Sequence, residues 1–184
     1  MLRCLPLVLV VLFALPAAAQ GDQMPAASAV LDALTGPEDD LTPAERAVRA
    51  RVLQDGVHVV HFWAPWCDNS RAELQRGWYE VIENNADVSF TFVTVWSDGE
   101  VGQDVLDRYA IPETVTVLTQ EDFGPSEDKA QRRRRFLGLP MTWIPTTWVF
   151  HKNGELAFAF NYGELEMDQL QAALDGARSE WSHD

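Results

Sequence analysis

Cysteine is scarce in this chain: 184 residues contain two, Cys4 and Cys67. The first lies in a segment that reads as removable. Met1 to Gln20 carries Arg3, an apolar run from Leu5 to Leu15, Pro16 and Ala17-Ala18-Ala19, the pattern of a secretory signal cut after Ala19. Cleavage leaves Cys67 alone and, with Arg3 gone, moves the formal charge from -14 to -15. A lone cysteine in an oxidising compartment forms no internal disulfide; it is reactive or bonded to another molecule.

Basic side chains are also few, 14 Lys and Arg against 28 Asp and Glu. That balance argues against nucleic acid and anionic membrane surfaces as partners. The apolar run near the N-terminus falls short of the roughly 20 residues a spanning helix needs, so no stable membrane span is expected after cleavage. An uncleaved signal would leave the chain membrane-anchored. The expected localisation is exported, periplasmic in a bacterium.

What is present fits one domain. Residues 1–19 read as the signal, 20–40 as a flexible lead-in rich in Ala, Ser, Pro, Gly and acid, and 41–184 as a single α/β domain. Thr42-Pro43-Ala44-Glu45 is a capping box with proline at the first helical position, predicting a helix to about Gln54. Val57–Ala64 and Val88–Trp96 read as buried strands, Thr114–Thr119 as a third. A helix is expected from Cys67 to Glu83, another from Glu100 to Tyr109, and a third capped by Ser126 and running through Arg132 to Arg135. Asn153-Gly154 between two β-rich runs, Thr146–His151 and Leu156–Asn161, signals a closing hairpin. Leu170, Ala173, Leu174 and Ala177 mark the inner face of a last helix. Strand-helix alternation implies a parallel sheet that finishes antiparallel.

The chemistry concentrates in His61–Ser70, HFWAPWCDNS. A cysteine at the first turn of a helix meets unpaired N–H groups and the positive end of the helix dipole, which favour thiolate, the reactive form. Ser70 is one turn on, where its hydroxyl can donate to the sulfur; the Asp68 carboxylate opposes a second negative charge. His61 has two readings, a proton holder for Cys67 or a packed core histidine. His58 and His151 are weaker candidates. Copper bound by Cys67 with His61 or Met141 is chemically conceivable, although no ligand spacing supports it. Arg132–Arg135, the one basic cluster, reads as an ion-paired helix face using Glu127 and Asp128, with docking to an acidic partner as the minority reading.

FWAPWC at a strand-to-helix turn, followed by Ile144-Pro145-Thr146 before a hairpin, resembles the thioredoxin-fold proteins. Extra strand and helix between Val101 and Leu139 make it similar to the exported TlpA and ResA branch, with an insertion before the cis-proline loop. The resemblance implies a central mixed β-sheet with helices on both faces. It makes Cys67 the nucleophile and Trp66 its flanking aromatic. Pro145 would be cis, bringing the Ile144 backbone to the substrate, and Trp143 can line the groove. It implies no cofactor. The departures from the pattern are Ser70, where the family has its resolving cysteine, and His61, where many members keep a buried carboxylate. A hydroxyl cannot resolve a mixed disulfide. Three functions stand open: a monothiol exchanging disulfides with cysteine-containing clients or glutathione and released by an external thiol; a redox-inactive binding module; and a copper-handling protein.

Overall fold

The computed structural model describes Leu34 and residues 40–121, 128–161 and 165–179. The signal, nearly all of the lead-in, and Ser126 lie outside the described residues. The chain runs α1 (Pro43–Val52), β1 (His58–Trp63), α2 (Asp68–Leu74), α3 (Trp78–Asn84), β2 (Ser89–Thr94), α4 (Gln103–Arg108) and β3 (Thr116–Thr119). It continues through β4 (Arg135–Phe136), β5 (Leu139–Pro140), β6 (Thr146–Phe150), β7 (Leu156–Asn161) and α5 (Met167–Arg178).

Five strands form one mixed sheet in the order β3-β2-β1-β6-β7, as the alternation and the Asn-Gly turn predict. β1 is central and wholly buried, parallel to β2 and antiparallel to β6. That register places His61 between Phe92 and Thr147. Because strand side chains alternate faces, β1 feeds two cores. Val59 and Trp63 join Trp78, Phe92 and Leu170 on one side, where α2, α3 and α5 contribute. Val60 and Phe62 join Val48, Phe136, Met141 and Trp148 on the other, under α1 and the β4–β5 hairpin. Each large apolar side chain sealed in these layers contributes about 1.5–3 kcal/mol. No helix among the described residues is long and apolar enough to cross a membrane.

The capping box forms as the sequence implies: Glu45 N–H donates to Thr42 Oγ1 at 3.2 Å and Thr42 N–H to Glu45 Oε2 at 2.8 Å. The sequence did not disclose that Glu45 Oε1 also accepts from Leu137 N–H at 2.8 Å, tying α1 to the β4–β5 turn.

Two helix expectations need correction. The helix expected over 67–83 breaks into α2 and α3 at residues 75–77, where Gly77 takes φ 119°, a conformation closed to ordinary helix residues. The described part of the expected arginine helix, from Asp128 to Arg135, is turn and then strand. Local and distant partners divert its backbone. The Asp128 carboxylate accepts from Ala130 N–H at 2.9 Å, Trp96 Nε1–H donates to Arg133 O at 2.8 Å, and Met141 N–H donates to Arg134 O at 2.9 Å.

Candidate active site

Cys67 caps α2 just beyond the end of β1, with extended backbone and its N–H donating to Ala64 O at 3.1 Å. The turn that carries it is wedged from below. Gly102, at φ 72°, lies where an added Cβ would stand 2.8 Å from Trp63 Cη2 and 3.0 Å from Pro65 Cβ. Arg71 Nη1 donates to Pro65 O at 2.8 Å and its guanidinium also pairs with Asp68. Asp68 is thus turned toward a cation one turn along rather than left beside the thiol alone. The thiol is free, half-buried, and faces the Ile144 carbonyl with Sγ 3.9 Å from O. The Ile144–Pro145 bond is cis. These residues, 77 apart in sequence, meet where β1 ends and β6 begins, at one end of the sheet's central strands.

Ser70 does not serve the sulfur. It is fully buried, and its Oγ accepts from Ala64 N–H at 3.4 Å, so the expected hydroxyl-to-sulfur bond is replaced by one that braces the turn.

His61 lies beneath in a sealed pocket, Nδ1 3.0 Å from Thr147 Oγ1, its ring 4.7 Å from that of Trp78 and 4.9 Å from that of Phe92. Burial holds its pKa down at about 3, leaving it neutral near pH 7. Glu73 of α2 stands 3.6 Å from the same Nδ1 and is almost wholly buried. Burial pushes its carboxyl up to about 7, against the Leu165 N–H that donates to Oε2 at 3.1 Å. His61 is therefore a core histidine with a titratable neighbour. Glu73 escaped the sequence reading; the available signal was an acid at the buried phase of a helix opening on the reactive residue.

Above the thiol, Trp66 is 43% exposed and its Nε1–H donates to Trp96 O at 2.7 Å. The Arg132 guanidinium sits 5.0 Å from the Trp66 ring and 5.0 Å from the Trp96 ring. Arg133 lies 3.9 Å from Glu45, and Arg135 donates to Gly138 O at 2.6 Å. The arginine run is thus spent on separate tertiary partners instead of lining one helix face. Trp143, 48% exposed, precedes Ile144 by one residue.

His58 and His151 are structural: His58 Nε2 is 3.0 Å from Gln54 O and His151 Nε2 is 2.7 Å from Ser179 O. Met141 is buried in the core across β1 from His61, so the sheet separates two of the conceivable copper ligands. The described residues contain no group of three His, Cys, Asp or Glu placed to hold a metal.

No protein-family model matches this chain, and no curated protein matches it. Solved structures do. A DsbF homologue from Corynebacterium diphtheriae superposes with TM-score 0.51 at 24% identity, over 67% of this chain and 73% of that one. A secreted Mycobacterium tuberculosis disulfide oxidoreductase homologous to E. coli DsbE gives TM-score 0.50 at 19% identity, over 70% and 86%. DsbF described in mixed oxidised and reduced forms gives TM-score 0.50 at 19% identity, over 68% and 83%. The five-stranded mixed sheet with its helices is a thioredoxin-like fold, the fold of these thiol-disulfide proteins.

Proposed function

We propose that this chain is an exported monothiol exchange protein that forms mixed disulfides through Cys67. The observation that carries the reading is the pairing of a half-exposed free thiol at the Ile144 carbonyl with a buried serine at the resolving position. The Cys67 thiolate attacks one sulfur of a client or glutathione disulfide, and the other sulfur leaves as thiolate. Ser70 cannot expel the captured half. An external thiolate does so, attacking the mixed disulfide and returning Cys67 as thiolate, with no net electron gained or lost by this chain. That cycle suits isomerisation and deglutathionylation. Export is supported by the signal-like N-terminus and by the secreted neighbour.

The test is turnover of a glutathionylated peptide by the mature protein with excess glutathione. Cys67→Ser is expected to abolish it, and an unchanged rate in that variant removes the enzymatic reading. A second reading, a binding module, draws on the exposed Trp66 and Trp143 near the groove. It predicts peptide binding that survives Cys67→Ser with no turnover in either protein.

A further inference from the structure

α2 ends at Leu74, about 10 Å along its axis from the cap at Cys67, and the chain restarts as α3 only at Trp78. The break leaves a groove of about 550 Å³ between the α2–α3 junction, the end of α4 and the start of α5. That size lies within the roughly 300–1,000 Å³ of clefts that hold small molecules. The exchange chemistry of Cys67 makes no use of it.

The lining divides by chemistry. Leu74 and Val81, both buried, and the half-buried Met167 form its apolar base. Tyr79, 46% exposed, and Tyr109, packed against the core, add two aromatic rings whose hydroxyls meet no partner among the described residues. Arg108, the exposed last residue of α4, adds a positive charge.

The other two charged side chains of the lining are already employed. Arg76 pairs with Glu166. Glu80 is folded over Gly77, where an added Cβ would stand 3.2 Å from its Oε2, and lies in the first turn of α3, the end at which a helix dipole favours an anion. Arg108 differs. It forms no ion pair with any described residue, although Asp104 stands one turn back on the same helix, and Asp107 beside it accepts from Gln103. In a chain of formal charge -14, a guanidinium left without an acid beside two unpartnered phenols and an apolar base is complementary to an anion with an apolar body.

We propose that this groove binds small carboxylates with an aromatic or short aliphatic body, the carboxylate on Arg108 and the body against the tyrosine rings and the apolar base. A guanidinium offers a carboxylate two parallel N–H donors, and a phenol O–H can add a third. A neutral alcohol of the same shape keeps the apolar contact and loses the paired charge. No bond is made or broken, and the site stands whether or not Cys67 exchanges disulfides.

The experiment follows backbone amide shifts of the isotope-labelled mature protein during titration with phenylpropionate (anionic), phenylpropanol (neutral) and phenylpropylamine (cationic). Shifts are expected at Gly77, Tyr79 and Ala110, saturating in the low millimolar range for the acid. The acid is expected to bind about 3–10-fold more tightly than the alcohol, and the amine more weakly than either. Arg108→Gln is expected to bring the acid to the level of the alcohol, and Arg108→Lys to retain part of the lead. Tyr79→Ala is expected to weaken acid and alcohol alike.

Equal affinities for acid and alcohol, or a lead that persists in Arg108→Gln, overturns the preference for carboxylates. Shifts confined to other residues, or none in the millimolar range, overturns the groove as a binding site.

Discussion

Nδ1 of His61 stands 3.6 Å from Oε1 of Glu73, and both side chains are sealed from solvent. With His61 at about 3 and Glu73 at about 7, the pair carries no charge between those values.

The consequence for pH is worked out from the signs. The folded value of His61 lies below its ordinary 6.5, so the unfolded chain takes that proton first and stability falls as pH drops from 6.5 toward 3. The folded value of Glu73 lies above its ordinary 4.5, so stability falls as pH rises from 4.5 through 7. The two slopes oppose one another between 4.5 and 6.5, where this pair leaves stability flat. Relative to wild type, Glu73→Gln should gain about 2 kcal/mol between about pH 5.5 and about pH 8 in urea unfolding. Parallel curves for the two proteins over that interval would refute the raised carboxyl.

Ser70→Cys puts a second thiol three residues into the helix that Cys67 caps. The expected result is an internal disulfide on oxidation and a gain of dithiol-driven insulin reduction, followed by thiol counting and turbidity. Loss of the hydroxyl accepting from Ala64 N–H costs about 1 kcal/mol. A folded variant whose two thiols both stay free after oxidation would contradict the placement of residue 70 under the thiol.

Gly102→Ala forces a Cβ against Trp63 and Pro65 in addition to straining a φ of 72°. The loss should be about 2–4 kcal/mol. Gly99→Ala shares the positive φ but meets nothing within 4 Å, and should lose only about 1 kcal/mol. Equal losses in urea unfolding would remove the steric wedge beneath the active turn.

Glu45→Ala strips a buried carboxylate from two backbone N–H groups, those of Thr42 and Leu137. A loss of about 2–3 kcal/mol is expected, with faster hydrogen exchange at the Leu137 amide. Unchanged protection of that amide would show that the β4–β5 turn does not depend on α1.

Much of the fold was legible because its signals are local. The Thr42 to Glu45 box, the apolar run of β1 and the Asn153-Gly154 turn each write their structure within a few residues. What was not legible depends on distant partners. Arg132–Arg135 looks helical by composition, yet Trp96 and Met141 claim the carbonyls of Arg133 and Arg134. The break at Gly77 is a single glycine inside a plausible apolar period, and its φ is visible only in the folded chain. At the site, Cys67 and Ile144 were named from the order of two motifs, and the fold brings them together. Glu73 was missed because a helical acid reads as solvent-facing until its burial beside His61 is seen.

The two indole bonds, Trp66 to Trp96 and Trp96 to Arg133, join stretches of chain with separate duties. Cys67 belongs to the β1–α2 turn, whereas the guanidinium over its neighbour Trp66 arrives on a segment some 65 residues later. Residues 128–141 can therefore change the surroundings of Trp66 while β1 and α2 remain as they are. The turn that carries the thiol and the segment that borders it are free to diverge independently, one stretch of chain at a time.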